Sequence, residues 1–269
     1  MSNPVISRNP YFTGETQRPN QFGQQQTNVQ PDMPAQPNYS AFDPQPVEGR
    51  MTYTDAMNKV ALLLGVTVVT GIVAAFVVPT PSMPAVAMIS SFAALGLGFF
   101  AAFKPMVSPG LAIAYAAIEG VALGTITSAF NMYYPGIAFQ AILATMVIVG
   151  VTLGLHYSGA VRTTKRGRKI VYVVALGYLV FSLINVVLTW TGILGGFGLR
   201  NGPFGLLIGA AMILVAAYML IADFEQINEA IAHQAPTQFA WTAALAIVMT
   251  ILWIYIEVLR LLAILANNR

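Results

Sequence analysis

From residue 60 onward the chain alternates between apolar stretches and short polar or proline-bearing breaks. The stretches are long enough to matter: crossing roughly 30 Å of hydrocarbon takes about 20 helical residues. Seven stretches qualify, over residues 60–78, 84–103, 109–130, 136–156, 170–190, 203–222 and 239–265. Pro84, Pro109 and Pro203 stand at three of the entries, where a missing N–H costs a helix least. Residues 53–59 form a short amphipathic lead-in. The pattern predicts an all-α, polytopic membrane protein.

Ahead of the apolar runs the pattern is different. Residues 1–50 are rich in Pro, Asn and Gln and have no apolar periodicity, so they cannot bury enough surface to offset chain entropy. They are expected to form a disordered cytoplasmic tail, followed by a transmembrane domain over 51–269. The first 30 or so residues hold no apolar signal-peptide core. Asn9-Pro10-Tyr11-Phe12 reads as an aromatic in a disordered tail, with a short docking peptide for a membrane-protein partner as the other reading.

Composition agrees with the pattern. The chain is 57% hydrophobic and 9% charged, against about 25% charged in soluble domains. It has no cysteine, which excludes disulfides, thiolate catalysis and cysteine-held metals. The net charge of +3 gives no argument for nucleic acid. Its distribution argues for topology instead. Arg162, Lys165, Arg166, Arg168 and Lys169 share one loop, on the same side as Lys104 and the N-terminus, whereas the opposite loops offer Arg200 and little else. The positive-inside rule then puts the N-terminus in the cytoplasm and the C-terminus outside, with the plasma membrane as the expected location. The basic loop could also meet anionic lipid.

Pairs of glycines four apart, Gly120/Gly124, Gly150/Gly154 and Gly205/Gly209, allow close helix approach. They read as internal packing in a monomer rather than as dimerisation.

The chemistry rests on the acids. Glu119 lies ten residues into the third span, about 15 Å deep by helical rise. It reads either as a neutral acid bonded to a neighbouring helix or as part of an ion path, with Gln140 and Asn185 as candidate partners. Asp223 ends the sixth span. Glu225 and Glu229 beyond it read as solvated, Glu225 as a cap of the turn. Glu257 and Arg260 are three apart on the last span and can pair, which makes a structural ion pair the plain reading. Ionisable groups in hydrocarbon are costly and rare. Signatures of zinc peptidases, serine hydrolases, phosphate-binding loops and intramembrane aspartyl proteases are missing, so no enzyme and no cofactor are expected. His156 reads as interfacial and His233 as a loop residue.

Ala222-Asp223-Phe224-Glu225-Gln226-Ile227 and Tyr255-Ile256-Glu257-Val258-Leu259-Arg260-Leu261-Leu262 resemble motifs of the Bax inhibitor (transmembrane Bax inhibitor motif) family in its bacterial branch. The small-residue run around Glu119 and Gly120 resembles the family's third helix. The resemblance covers residues 59–265. It implies six helices around a central seventh and a pH-sensitive calcium leak. It also implies that Asp223 and Glu257 share a proton as gate and as candidate calcium ligands, with Lys104 and Arg260 as charge partners. Three features depart from the pattern: Glu stands in place of Asp at 257, the segment between Asp223 and Glu257 is longer, and Lys104 alone replaces a run of basic residues. The shared proton carries a geometric condition, that the last helix begin low enough for Glu257 to reach Asp223. Two rival readings remain. One is a non-conducting interaction protein that modulates a protease or stress-response partner. The other is a proton-coupled transporter, which the lack of inverted repeats disfavours.

Overall fold

A computed structural model describes residues 49–267. Among these residues the order is α1 (Tyr53–Val77), α2 (Met83–Ala102), α3 (Pro109–Tyr133), α4 (Ile137–Tyr157), α5 (Lys165–Trp190), α6 (Gly202–Ala232) and α7 (Phe239–Asn267). All seven are long and apolar enough to cross a membrane. Short 3-10 turns precede α2 and α6, at Thr80–Ser82 and Gly198–Arg200. The tail reading for residues 1–50 lies outside the described residues except at Gly49 and Arg50.

Capping explains several helix starts. The side chains of Thr52, Ser108, Thr164 and Asn201 each accept from a backbone N–H in the first turn of α1, α3, α5 and α6, which satisfies a donor that the helix cannot. Three boundaries differ from the sequence reading: α5 begins at Lys165 rather than 170, so four of the five residues read as a basic loop are helical. The lead-in at 53–59 is the first part of α1 rather than a separate element. Helix α6 runs ten residues past position 222, because Phe224, Ile227 and Ala230 keep an apolar face buried while Glu225 and Glu229 between them turn to Thr163 and Arg168.

The last helix is the axis of the bundle. Within an 18-residue apolar stretch of α7, 61% of the residues are buried, against 11% for such a stretch of α5. Helix α7 packs on α1, α3, α4 and α6. Its interior face carries Ala240, Ala244, Ile247, Ile254, Leu259 and Ala263, all fully buried. Alanines dominate the entry turn, so neighbouring backbones can come close.

Helices α1 and α3 cross at glycines. A Cβ on Gly120 would lie 2.4 Å from the Thr67 carbonyl oxygen, and one on Gly124 would lie 2.1 Å from that of Gly71. Thr67 Oγ1 donates to the Ala116 carbonyl at 3.1 Å, adding a polar tie at the same crossing. Gly209 makes room for Leu261 and Arg260 of α7, and Gly205 lies against the backbone of Arg200. Gly150 and Gly154 face open space, so that pair does not take part in the internal packing expected of it.

The end of the bundle that carries the basic loop is stitched together. Gly49–Met51 runs antiparallel to the α6–α7 loop, with Met51 N donating to Ala235 O at 2.8 Å and Thr237 N to Gly49 O at 2.9 Å. Lys59 pairs with Asp55 at 2.7 Å, donates to Thr237 O at 3.2 Å and lies over the Trp241 ring. Val107 N donates to Thr242 Oγ1 at 2.9 Å, fixing the α2–α3 loop to the start of α7.

Candidate functional site

Two polar clusters lie along α7. The first joins α6 to α7 about a third of the way in from the end that carries their connecting loop. Asp223 is 7% exposed and sits nine residues, about 14 Å, from the end of α6. Its Oδ2 is 2.7 Å from Thr250 Oγ1. That hydroxyl is also 3.1 Å from the Ala246 carbonyl oxygen one turn back on α7. A hydroxyl has one proton to give. If Thr250 donates to Ala246, the Thr250–Asp223 contact requires the proton to come from Asp223. If Thr250 donates to Asp223 instead, Asp223 can be an anion, but its only hydrogen-bond partner among the described residues is that single hydroxyl. Tyr172 of α5 lies within electrostatic reach of Asp223.

The second cluster lies further along α7. Glu257 is 2% exposed and Arg260 is 9% exposed. Both guanidinium Nη atoms of Arg260 donate to the Glu257 carboxylate, Nη1 at 3.0 Å and Nη2 closer still. The Tyr178 hydroxyl of α5 donates to Glu257 Oε1 at 2.7 Å, and accepts from Arg260 Nη1 at 2.6 Å and from Arg200 Nη1 at 2.9 Å. Arg200 also donates to Ser182 Oγ at 3.2 Å. Trp253 stacks on the Tyr178 ring. One tyrosine thus ties together two arginines and a glutamate inside the helical bundle.

The two acids do not form one pair. Thr250 and Glu257 are seven residues apart, so they share a face of α7 but are separated by about 10 Å along it. No hydrogen bond among the described residues joins Asp223 to Glu257. The geometric condition fails because α7 begins at Phe239, which leaves Glu257 two turns beyond the level of Asp223. The ion pair with Arg260 forms as its spacing predicts, and it is buried. Lys104 stays at the end of the bundle with its ammonium over the Phe100 ring, and no ion pair among the described residues links it to Asp223.

Glu119 is half-buried and has no hydrogen bond or ion pair among the described residues; Tyr115, one turn back, is within electrostatic reach. Neither proposed partner reaches it. Gln140 is exposed, and Asn185 holds the α5–α6 loop by accepting from Leu199 N and donating to Phe197 O. Glu225 is not a turn cap. It accepts from the backbone and hydroxyl of Thr163 and stands 3.9 Å from Arg168, while Glu229 pairs with Arg168 at 2.7 Å. These two acids clasp Thr163 and the first turn of α5 to α6. His156 packs its ring on Phe224.

Sequence reasoning missed Thr250, Tyr178 and the interior role of Arg200. A tyrosine in the middle of an apolar span and a lone arginine on the sparsely charged side were the available signals.

The Bax inhibitor 1 like family model matches residues 3–267. The chain belongs to this family. The match reaches into the tail, which the sequence resemblance had left aside. A comparison with curated proteins returned no match.

Proposed function

We propose that this protein is a passive, proton-responsive cation leak of the membrane, with calcium as the expected ion and no enzymatic activity. The observation that carries the reading is the Asp223–Thr250–Ala246 relay. With Asp223 protonated, every group in it is satisfied: the acid donates to Thr250 and Thr250 donates to Ala246. With Asp223 ionised, a buried carboxylate retains one hydroxyl and no cation, an arrangement that costs several kcal/mol or draws in water and a counter-ion. Loss of the proton therefore favours separation of α6 from α7 and leaves oxygen ligands suited to a hard cation. The shared-proton gate gives way here to two separate latches. Asp223 responds to protons, and Glu257 is neutralised by Arg260 and holds the far half of the bundle shut. Among the described residues no three His, Asp or Glu side chains gather into one metal group, so a permeant ion would meet the acids one at a time. Glu119, about as far from its own helix end as Asp223, is the next carboxylate on such a path.

The test is calcium flux into proteoliposomes of the purified protein across a pH series. Flux should rise with pH. Asp223→Asn keeps an acceptor for Thr250 but never becomes charged, so its flux should stay at the low-pH level throughout. Unchanged pH dependence in that variant would place the gate elsewhere. Absence of flux from the parent at every pH would favour a non-conducting protein that acts through a membrane partner.

A further inference from the structure

The Tyr178 cluster forms the floor of a cavity of about 900 Å³. One wall is the Ala87–Ser91–Leu95 face of α2, and the other is the α5 face from Ala175 to Trp190. Helix α2 packs on α3 and α5 packs on α6, so the two walls stand apart. Rim residues Phe92, Leu176 and Trp190 are 48%, 58% and 73% exposed, so the cavity opens sideways toward hydrocarbon. The α5 wall is about 22 Å long by helical rise.

The floor has an unbalanced charge. Arg200 and Arg260 contribute two positive charges and Glu257 one negative, which leaves one positive charge in excess. Arg260 is paired with Glu257. Arg200 has no carboxylate partner among the described residues and is held only by the Tyr178 and Ser182 hydroxyls. The Nε groups of Arg200 and Arg260 are both buried with no hydrogen-bond acceptor. A half-buried guanidinium whose Nε is buried without an acceptor, and which has no carboxylate of its own, is an expensive arrangement. A planar oxyanion fits the fork geometry of Arg. The walls accept one apolar chain, and the open side leads into lipid.

We propose that this cavity binds a long-chain fatty acid, its carboxylate on Arg200 and the Tyr178 cluster and its chain between α2 and α5. A carboxylate is preferred over a phosphate headgroup because the site offers one net positive charge and lies among apolar walls. Binding would place α2 and α5 on a common ligand that also touches α7. The proposal does not depend on ion conduction.

Trp253 lines the cavity beside the cluster and supplies the reporter. The chain has three tryptophans; Trp190→Phe and Trp241→Phe leave Trp253 alone. In detergent micelles, dibrominated stearate should quench Trp253 saturably, and unbrominated oleate should reverse the quench. Arg200→Gln should raise the half-saturating concentration about tenfold or more, as loss of a charged hydrogen bond implies. Ala87→Phe narrows the wall without touching the cluster and should also abolish saturable quenching, which covers the case that Arg200→Gln misfolds. Equal quenching of the parent and both variants would overturn the site. Equal quenching by a brominated fatty alcohol would overturn the role of the charge. Equally strong competition by lysophosphatidylglycerol would overturn the choice of carboxylate.

Discussion

Removing the Glu257 carboxylate is predicted to do more damage than removing the Tyr178 hydroxyl. Glu257→Gln leaves Arg260 and Arg200 together with no anion in a buried site, and breaking a buried ion pair from one side costs about 3–5 kcal/mol. Tyr178→Phe removes one bridging group but keeps the charge pair, at about 1–3 kcal/mol for the unmet donors. Thermal unfolding in detergent, followed by helix content, should rank the parent above Tyr178→Phe and Tyr178→Phe above Glu257→Gln. Glu257→Gln combined with Arg260→Met should recover part of the loss, since it removes a charge along with its partner. If Glu257→Gln melts with the parent, the pair does not contribute to stability as its burial implies. The spacing of Glu257 and Arg260 was legible in the sequence because an i, i+3 relation is local to one helix. Their ties to Tyr178 and Arg200 were not, because those contacts arise from how α5, the α5–α6 turn and α7 are placed in space. The same holds for Asp223 and Thr250: each is visible as a polar residue in an apolar run, but their register across two helices is not.

At the scale of the element, glycines with the same spacing have different consequences. Gly124→Ala would put a methyl 2.1 Å from the Gly71 carbonyl oxygen, a backbone atom that cannot swing away. Helices α1 and α3 would have to separate, at a cost of about 1–3 kcal/mol or more for such overpacking. Gly150→Ala meets nothing within 4 Å and should leave the melting temperature unchanged or slightly higher. A comparison of the two variants by thermal unfolding checks this, and equal destabilisation would count against the α1–α3 crossing. The sequence signalled close approach at all three glycine pairs but could not say which pair faces a neighbour. Helix ends show the same limit. Asp223, Glu225 and Glu229 made the sixth span look finished at 222, because hydropathy reports the membrane rather than the helix. The Phe224, Ile227 and Ala230 spacing carries the helix onward. A wider window for that periodicity would have found the last three turns.

For the whole molecule, the number and order of the seven spans were legible because hydrocarbon thickness sets the length of apolar run to look for. The central position of α7 came only through resemblance to the family. Its physical basis is an alanine-lined face that lets α1, α3, α4 and α6 approach, and its spacing is visible in the chain only once the helix is known to be surrounded. Orientation rests on charge: Arg162, Lys165, Arg166, Arg168 and Lys169 lie at one end of the bundle, together with Lys59 and Lys104, while Arg200 is drawn inward to Tyr178. Among the described residues the far end therefore presents almost no basic side chain to an anionic surface, and the asymmetry is stronger than a simple count of loop residues suggests. The expectation is that the basic end is cytoplasmic. With no native cysteine in the chain, single introduced thiols can check it. Ile193→Cys lies in the α5–α6 connection and is 69% exposed in the native residue. It should react with a membrane-impermeant maleimide added to intact cells. Ala160→Cys, in the exposed loop before α5, should react only after lysis. The reverse labelling would invert the bundle, and proton control through Asp223 would then answer to the pH of the opposite compartment.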